Sequence, residues 1–206
     1  MNELAGIAVK NASVRIPSKG KFQTGPVLIT HRGLSGPAIL KLSAWEARQL
    51  NELNYEFQIE LNWLGDRKES DLQSLFSSLR NQYGQQLIRT KVFEGLPRRL
   101  WVKILKHLKI NETMQWAQLP KKMEVKLINE LIAARFQVSG KTMNKEEFVT
   151  CGGVCLKEVN FKKMESLLIP HLYFAGECLD YDGITGGFNF QAAWTTGYIA
   201  GTVIAE

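Results

Sequence analysis

Cysteine is scarce in this chain of 206 residues, which contains only Cys151, Cys155 and Cys178. An odd number of cysteines in a chain without an export signal argues against a disulfide framework. No C-x-x-C or H-x-x-x-H pair occurs and the three histidines are scattered, so we expect no metal site. No apolar run approaches the roughly 18 residues of a membrane-spanning helix, so we expect no transmembrane helix and no membrane partner.

A secretory signal is also missing, because the first ten residues lack a basic segment followed by an apolar one. We therefore expect a cytoplasmic protein. The hydrophobic content of 45% and the charged content of 22% are those of an ordinary globular chain. Its length allows one or two domains with a sizeable core.

Positive charge is concentrated in one region. The net charge is +6, and residues 66–147 hold 16 Lys and Arg against 9 Asp and Glu. These basic residues alternate with apolar ones at helical spacing, which favours a solvated helical surface. A face for nucleic acid or for an acidic partner is the alternative.

The first part of the chain has strand-like periodicity. Alternating apolar residues predict strands within 4–16, with a turn near Asn11, and again at 27–30 and 57–61. Pro37 is well placed as the first residue of a helix that follows the second of these segments.

Three amphipathic helices are predicted next. Ser70 with Gln73 has the spacing of a capping box, and Gly84 is a plausible end for the first helix. Pro97 and Pro120 open the second and third helices. Their apolar stripes predict a common core without chemistry of its own.

The last part of the chain returns to strands. Strands are expected at 136–138, 148–150 and 155–159, and Gly152-Gly153 indicates a sharp turn or a close backbone approach. A short apolar run at 172–175 then predicts a buried strand.

A glycine-rich loop and a small-residue-rich helix follow that strand, with Asp180 and Asp182 in the loop. Strand, glycine loop and helix in this order can bind an anion at the helix N-terminus. The alternative is a tight turn that leads into a packed helix.

Three segments of the chain carry a family resemblance. They are GPVLITHRGLSGPAILKLS at 25–43, VTCGGVCLKEV at 149–159 with KMES at 163–166, and GECLDYDGITGGFNFQAAWTTGYIAG at 176–201. Together they resemble BaiN/YhiN-type bacterial flavoproteins, which are NAD(P)/FAD-dependent oxidoreductases. The resemblance covers essentially the whole chain and keeps the order of the motifs.

The resemblance implies a mixed α+β and α/β architecture in three parts. They are a β-barrel-like insert module at 1–64, a three-helix subdomain at 65–147, and the C-terminal strand-loop-helix part of a Rossmann-like FAD-binding domain at 148–206.

One element of such families is missing from these residues. No G-x-G-x-x-G turn, which holds the ADP part of FAD, occurs in the sequence. The chain therefore resembles the C-terminal half of such a flavoprotein, with a truncated gene product, a split gene and an excised fragment as the alternative origins. We expect a partial FAD site, completed by a separate N-terminal half or accompanied by self-association.

The resemblance also implies which residues contact the cofactor. Asp180 would accept a hydrogen bond from a ribityl hydroxyl, and the N–H groups that open the last helix would face the flavin C2 carbonyl. The implied cofactor-binding residues are Gly152, Gly153, Gly176, Glu177, Asp180, Gly186, Gly187, Phe188 and Asn189. No catalytic side chain is demanded, although His31 or Tyr181 could donate a proton if it is not simply a packing residue.

The implied function is transfer of hydride from NAD(P)H through FAD to an unsaturated small-molecule acceptor. The alternative is a truncated, non-catalytic remnant or a binding module whose basic helical region contacts nucleic acid or an acidic partner.

Overall fold

The chain forms two compact units in a computed structural model. The model describes residues 2–17, 20–90, 93, 95–141, 150–183 and 187–205. The first unit comprises Met1–Leu42 and Leu53–Lys141, and the second comprises Ser43–Glu52 and Thr142–Glu206. Helices and an antiparallel sheet make this a mixed α+β chain.

A five-stranded sheet lies in the first unit. Its strands are β1 (Ala8–Arg15), β2 (Gln23–Thr30), β3 (Gly33–Ser35), β4 (Glu56–Asn62) and β5 (Ala134–Ser139), and α1 (Pro37–Trp45) follows β3. Neighbouring strands are antiparallel in the order β3-β2-β1-β4-β5. The predicted strands at 27–30, 57–61 and 136–138 and the helix that opens at Pro37 are confirmed.

The turn expected near Asn11 is wrong. β1 continues through this point and pairs with β2 on both sides of it, with a register shift between Val9 and Ala12. Three steps along β1 there match two steps along β2, which is the geometry of a β-bulge. An extra residue in a continuous strand interrupts the apolar alternation much as a turn does.

Three helices complete the first unit: α3 (Glu69–Tyr83), α4 (Arg98–His107) and α5 (Lys121–Ile132). Pro97 and Pro120 directly precede α4 and α5, as predicted. The predicted capping box of α3 lies two residues too late. The helix begins after Lys68, whose backbone N–H donates to the Asp71 carboxylate over 2.9 Å.

Aromatic rings fill the space between these helices. Phe93 packs edge-on against Trp101, and Phe76 packs edge-on against Trp116, with ring centroids 5.1 and 5.4 Å apart. The Trp101 indole N–H donates to the carbonyl of Ile88 over 2.9 Å. The helical region thus has a core of its own.

The second unit is smaller and less regular. Its elements are α2 (Ala47–Glu52), β6 (Val159–Asn160), β7 (Glu165–Ser166) and α6 (Gly187–Ala205). Its buried cluster consists of Val159, Met164, Leu179 and Ala200. Within the described ranges, no helix is long and apolar enough to cross a membrane.

Two predicted strands of the second unit are wrong. Residues 156–158 form a 3-10 turn, so only Val159 of the predicted strand at 155–159 enters β6. Residues 172–175 contribute a single bridge, from Tyr173 to Glu165. No further strand of the described chain pairs with this segment, and an apolar run without a neighbouring strand makes no ladder. The strand predicted at 148–150 falls mainly outside the described residues.

Candidate functional site

A backbone crossing in the second unit positions the loop that carries the acidic residues. The N–H of Val154 donates to the Cys178 carbonyl over 2.8 Å, and the N–H of Asp180 donates to the Val154 carbonyl over 3.0 Å. A Cβ on Gly153 would lie 2.5 Å from the Cys178 carbonyl oxygen. The predicted close backbone approach is therefore confirmed at Gly153, whereas a Cβ on Gly152 would meet nothing within 4 Å.

A charged cluster forms beside this crossing. One guanidinium nitrogen of Arg48, on α2, donates to both carboxylate oxygens of Asp180 at 2.5 and 2.7 Å. This hydrogen bond is the main reason that the pKa of Arg48 is raised. The Asp180 side chain is about one quarter exposed, so it remains reachable from solvent.

Cys151 joins the same cluster through a second carboxylate. A hydrogen bond to Asp182, together with burial, raises the pKa of the Cys151 thiol, while Arg48 acts in the opposite direction. The thiol therefore stays protonated at neutral pH. An open cavity of about 360 Å³ lies over the cluster. It is lined by Ala44, Trp45, Glu46, Ala47, Arg48, Gln49, Cys151, Asp180 and Asp182.

Among the described residues, little covers the first residues of α6. A Cβ on Gly187 would meet nothing within 4 Å, and Phe188 is 68% exposed. Asn189 has a local structural contact, because its side-chain oxygen accepts the N–H of Gly183 over 2.8 Å. Gly186 lies outside the described residues.

The turn at Gly176 and Glu177 is held by protein contacts. Gly176 has φ +78°, and its N–H donates to the Thr196 hydroxyl over 2.9 Å. The Glu177 carboxylate accepts the N–H of Thr150 over 3.4 Å. These partners tie the turn to α6 and to the start of the 150–183 segment.

The two candidate proton donors fall in different units. The Tyr181 hydroxyl, in the second unit, is buried and has no hydrogen-bond partner among the described residues. His31 is exposed on the turn after β2 in the first unit. Only Tyr181 thus belongs to the unit that holds Asp180.

Arg48, Cys151 and Asp182 were not among the residues that the sequence assigned to the site. Arg48 lies 132 positions from Asp180, and the segment around it has no motif that links it to the acidic loop. Only the folded chain brings them together. No group of three His, Cys, Asp or Glu residues in the described chain is arranged to hold a metal ion.

Two features of the second unit offer hydrogen-bonding groups of the kinds that a flavin's ribityl hydroxyls and ring carbonyl use. An accessible carboxylate lies beside a cation, and bare backbone at Gly187 opens a helix whose N–H groups can receive a carbonyl oxygen.

Comparison with known proteins identifies the family. Residues 1–149 match the profile of the HI0933-like protein barrel and H2TH domain. This chain belongs to the HI0933-like family. The five-stranded sheet and the three helices of the first unit lie within the matched residues.

Three curated proteins show the same relationship at the level of sequence identity. A ribosomal RNA dihydrouridine synthase of Escherichia coli is 34% identical over 196 residues, which are 95% of this chain and 46% of that protein. Its namesake from Haemophilus influenzae is 31% identical over 91% of this chain and 44% of that protein. A 3-dehydro-bile acid delta(4,6)-reductase of Clostridium scindens is 28% identical over 89% of this chain and 44% of that protein.

The HI0933-like chain thus spans about half the length of the curated relatives that it matches. Together with the family match, these relatives support the predicted flavoprotein oxidoreductase family. The coverage fits the predicted C-terminal half.

Proposed function

We propose that this HI0933-like chain is the C-terminal portion of a flavin-dependent reductase that saturates a carbon–carbon double bond conjugated with a carbonyl group. The observation that carries the proposal is the pair of activities named for its relatives. Dihydrouridine is uridine with the ring double bond reduced, and a delta(4,6)-reductase also removes carbon–carbon double bonds. Both reactions add two hydrogens for each double bond that they reduce in an unsaturated carbonyl system.

The proposed cofactor is FAD, which would supply the chemistry of hydride transfer between NAD(P)H and the acceptor. Asp180 would accept a hydrogen bond from a ribityl hydroxyl. The N–H groups at Gly187 and Phe188 would face the flavin C2 carbonyl, where the helix dipole stabilises negative charge. Gly186 is proposed for the same role on sequence grounds alone.

Arg48 neutralises the charge of Asp180, which bears on whether Asp180 can lie near a phosphate. A lone carboxylate would repel the pyrophosphate of FAD, but the guanidinium on both oxygens of Asp180 neutralises its charge. Arg48 also has a hydrogen bond with Cys151, so its guanidinium links Asp180 and the thiol in one cluster. We propose that Arg48 lets Asp180 lie near the cofactor without this repulsion.

The proposed acceptor is a uracil base in RNA. Two of the three relatives are named for ribosomal RNA, and they are the two with the higher identities. An enone of a steroid-like small molecule is the second candidate, which the bile acid reductase favours.

The remaining part of the cofactor site is proposed to come from the part of the relatives' length that this chain does not span. Phe188, Trp194 and Tyr198 on α6 are 68%, 68% and 77% exposed. Large apolar side chains in one helix are seldom left in water, and they mark a surface that another protein covers. We propose that this cover is the half of the relatives' length that the present chain does not span, or a second copy of the chain.

Flavin binding to the purified chain tests the proposal. FAD and FMN are titrated separately and their fluorescence is followed. Since the predicted contacts address the ribityl chain and the ring, both flavins are expected to bind, with affinities that agree within about threefold. Asp180→Asn should weaken both by roughly tenfold, because it removes a charged acceptor.

Asp66→Asn is the matched control, since Asp66 is an exposed carboxylate of the first unit. It should leave both titrations unchanged. If neither flavin gives saturable quenching, the proposed contact is wrong. If Asp66→Asn weakens binding as much as Asp180→Asn does, the titrations report net charge and the assignment of Asp180 fails.

A further inference from the structure

A groove with mostly positive lining lies in the first unit, and none of the residues proposed to contact flavin lines it. Its volume is about 300 Å³. It is lined by Glu3, Leu4, Arg98, Arg99, Val102, Lys103 and Lys106. Four basic side chains thus face a single carboxylate. We call these lining residues the α4 groove.

The helix geometry aligns this charge in a stripe. Arg98, Val102 and Lys106 follow one another at intervals of four residues, and so do Arg99 and Lys103. The opposite side of α4 buries Leu100, Trp101, Ile104 and Leu105 in the core. With a rise of about 1.5 Å per residue, Arg98 and Lys106 stand roughly 12 Å apart along the axis. The basic side chains therefore form a row about 12 Å long that runs parallel to the axis of α4.

The positive charge of the stripe is only partly neutralised. Within the described residues, Arg98 has no acidic partner. Arg99 donates one bond to the backbone carbonyl of Glu3 over 2.6 Å, and no carboxylate among the residues that the structure describes forms an ion pair with it. Lys106 meets Glu112 at 3.3 Å, an exposed pair of the kind that contributes about 0–1 kcal/mol.

Glu3 is the acidic group in the groove. Its carboxylate lies 2.5 Å from the Lys103 ammonium, and this contact lowers the pKa of Glu3. A phosphate that enters the groove would compete with Glu3 for Lys103. The carboxylate thus weakens anion binding without abolishing the positive stripe.

We propose that the α4 groove binds the phosphate backbone of the RNA substrate. The proposal rests on the proposed function, since RNA is chosen because two relatives are named for ribosomal RNA. A nucleic-acid strand carries a charge about every 3.4 Å along its axis, so a stripe of roughly 12 Å spans about three phosphates. Such contacts position the RNA without reading its sequence. The proposal takes the nucleic-acid face that the sequence left as the alternative to a solvated helical surface.

The test is the affinity of the full chain for a labelled fragment of ribosomal RNA, measured by fluorescence anisotropy over a range of salt concentrations. Arg98→Gln combined with Lys106→Gln should lower the affinity by roughly tenfold or more. The slope of log affinity against log salt should fall by about one for each phosphate contact removed. Glu3→Gln should raise the affinity severalfold, because it releases Lys103.

Lys122→Gln combined with Lys126→Gln is the matched control. Both lysines are exposed on α5, four residues apart, and the variant changes net charge by the same amount. It should leave the affinity and the salt slope nearly unchanged. Equal losses in the two double variants would overturn the proposal, and so would a groove variant that binds like the parent.

Two further measurements distinguish RNA from an acidic protein partner, and the groove from the flavin site. Polyglutamate should not displace the RNA at matched charge concentration; full displacement would indicate an acidic protein partner and overturn the assignment to RNA. The flavin titrations are repeated on the groove variants and should match the parent. Groove-dependent RNA binding without flavin binding would refute the flavin contacts proposed for Asp180 and α6 while the groove assignment stands. Flavin binding without RNA binding would refute the groove assignment while the flavin contacts stand.

Discussion

Helices α4 and α6 differ in how many of their large apolar side chains are buried. α4 has ten residues and buries four large apolar side chains, whereas α6 has 19 residues and buries only Thr196 and Ala200. The first is amphipathic and completes a core, and the second is apolar around most of its circumference. A helix of the second kind requires cover from outside. The first unit therefore buries the apolar face of α4, while most large apolar side chains of α6 are exposed in the described structure.

The largest expected effect is in the closed core. Phe76 is fully buried among aromatic rings, so Phe76→Ala should lower the free energy of unfolding by about 3–5 kcal/mol. Trp194 on α6 has a larger ring, but its side chain is 68% exposed. Trp194→Ala should therefore change the free energy of unfolding by no more than about 0.5 kcal/mol. Urea unfolding followed by far-UV circular dichroism measures both. Similar losses would mean that α6 is covered within the chain itself.

A second effect, of about 2 kcal/mol, is expected at the backbone crossing of the second unit. Gly153→Ala places a Cβ against the Cys178 carbonyl oxygen at a φ of +153°, so the two segments of the crossing must separate. The amides of Val154 and Asp180 should then exchange with solvent roughly 30-fold faster. Hydrogen exchange measured by mass spectrometry over residues 150–183 reports this.

Gly152→Ala provides the comparison for this measurement. It also has a positive φ, +109°, but its Cβ would meet nothing within 4 Å. The amides of Val154 and Asp180 should therefore exchange only slightly faster in Gly152→Ala, because this variant has backbone strain without a steric clash. Equal acceleration in both variants would mean that φ, and not the close approach, holds the crossing together.

The same contrast between the units governs what the sequence could predict. In the first unit, apolar periodicity and the prolines before α4 and α5 predicted the elements, because each element buries its apolar face within the chain. In the second unit, the strand predicted at 172–175 failed, since an apolar run pairs only where a neighbouring strand exists. An apolar pattern shows that a segment favours burial, but it does not show which other segment will bury it.

The residues of the candidate site also differ in whether the sequence could predict them. Asp180 and the close approach at Gly153 followed from local sequence, because glycine and acidic residues in a loop are local signals. The Arg48 contact arises between segments far apart in sequence, and an exposed arginine on a short helix has no distinguishing pattern. Long-range ion pairs of this kind require the fold.

A third prediction concerns the uncovered surface of α6 directly. Trp194 stacks with Phe190 on the exposed side of the helix, with ring centroids 6.2 Å apart. We expect the chain to self-associate through this surface, and Trp194→Glu should weaken the association by about tenfold or more, since a charge cannot be buried there cheaply. Sedimentation velocity over a concentration series measures this.

Phe161→Glu is the control for that series. Phe161 is an exposed aromatic residue of the second unit outside α6, so its replacement should leave the association unchanged. A parent chain that remains a compact monomer at every concentration would contradict self-association, and α6 would then be free for a different polypeptide.

The smallest effect, below tenfold, is expected at the Cys151 thiol, where two neighbours act in opposite directions. Asp182 raises the pKa of Cys151 and Arg48 lowers it. Because the thiolate is the reactive form, Asp182→Asn should lower the pKa and speed alkylation at mildly alkaline pH, whereas Arg48→Gln should raise the pKa and slow it. Iodoacetamide rates across pH, with Cys155 and Cys178 replaced by serine, measure the two shifts. An unchanged alkylation rate in Asp182→Asn would show that this carboxylate does not influence the Cys151 thiol. Opposite shifts would show that the second unit, although its α6 surface is left open, holds its charged cluster in a defined geometry.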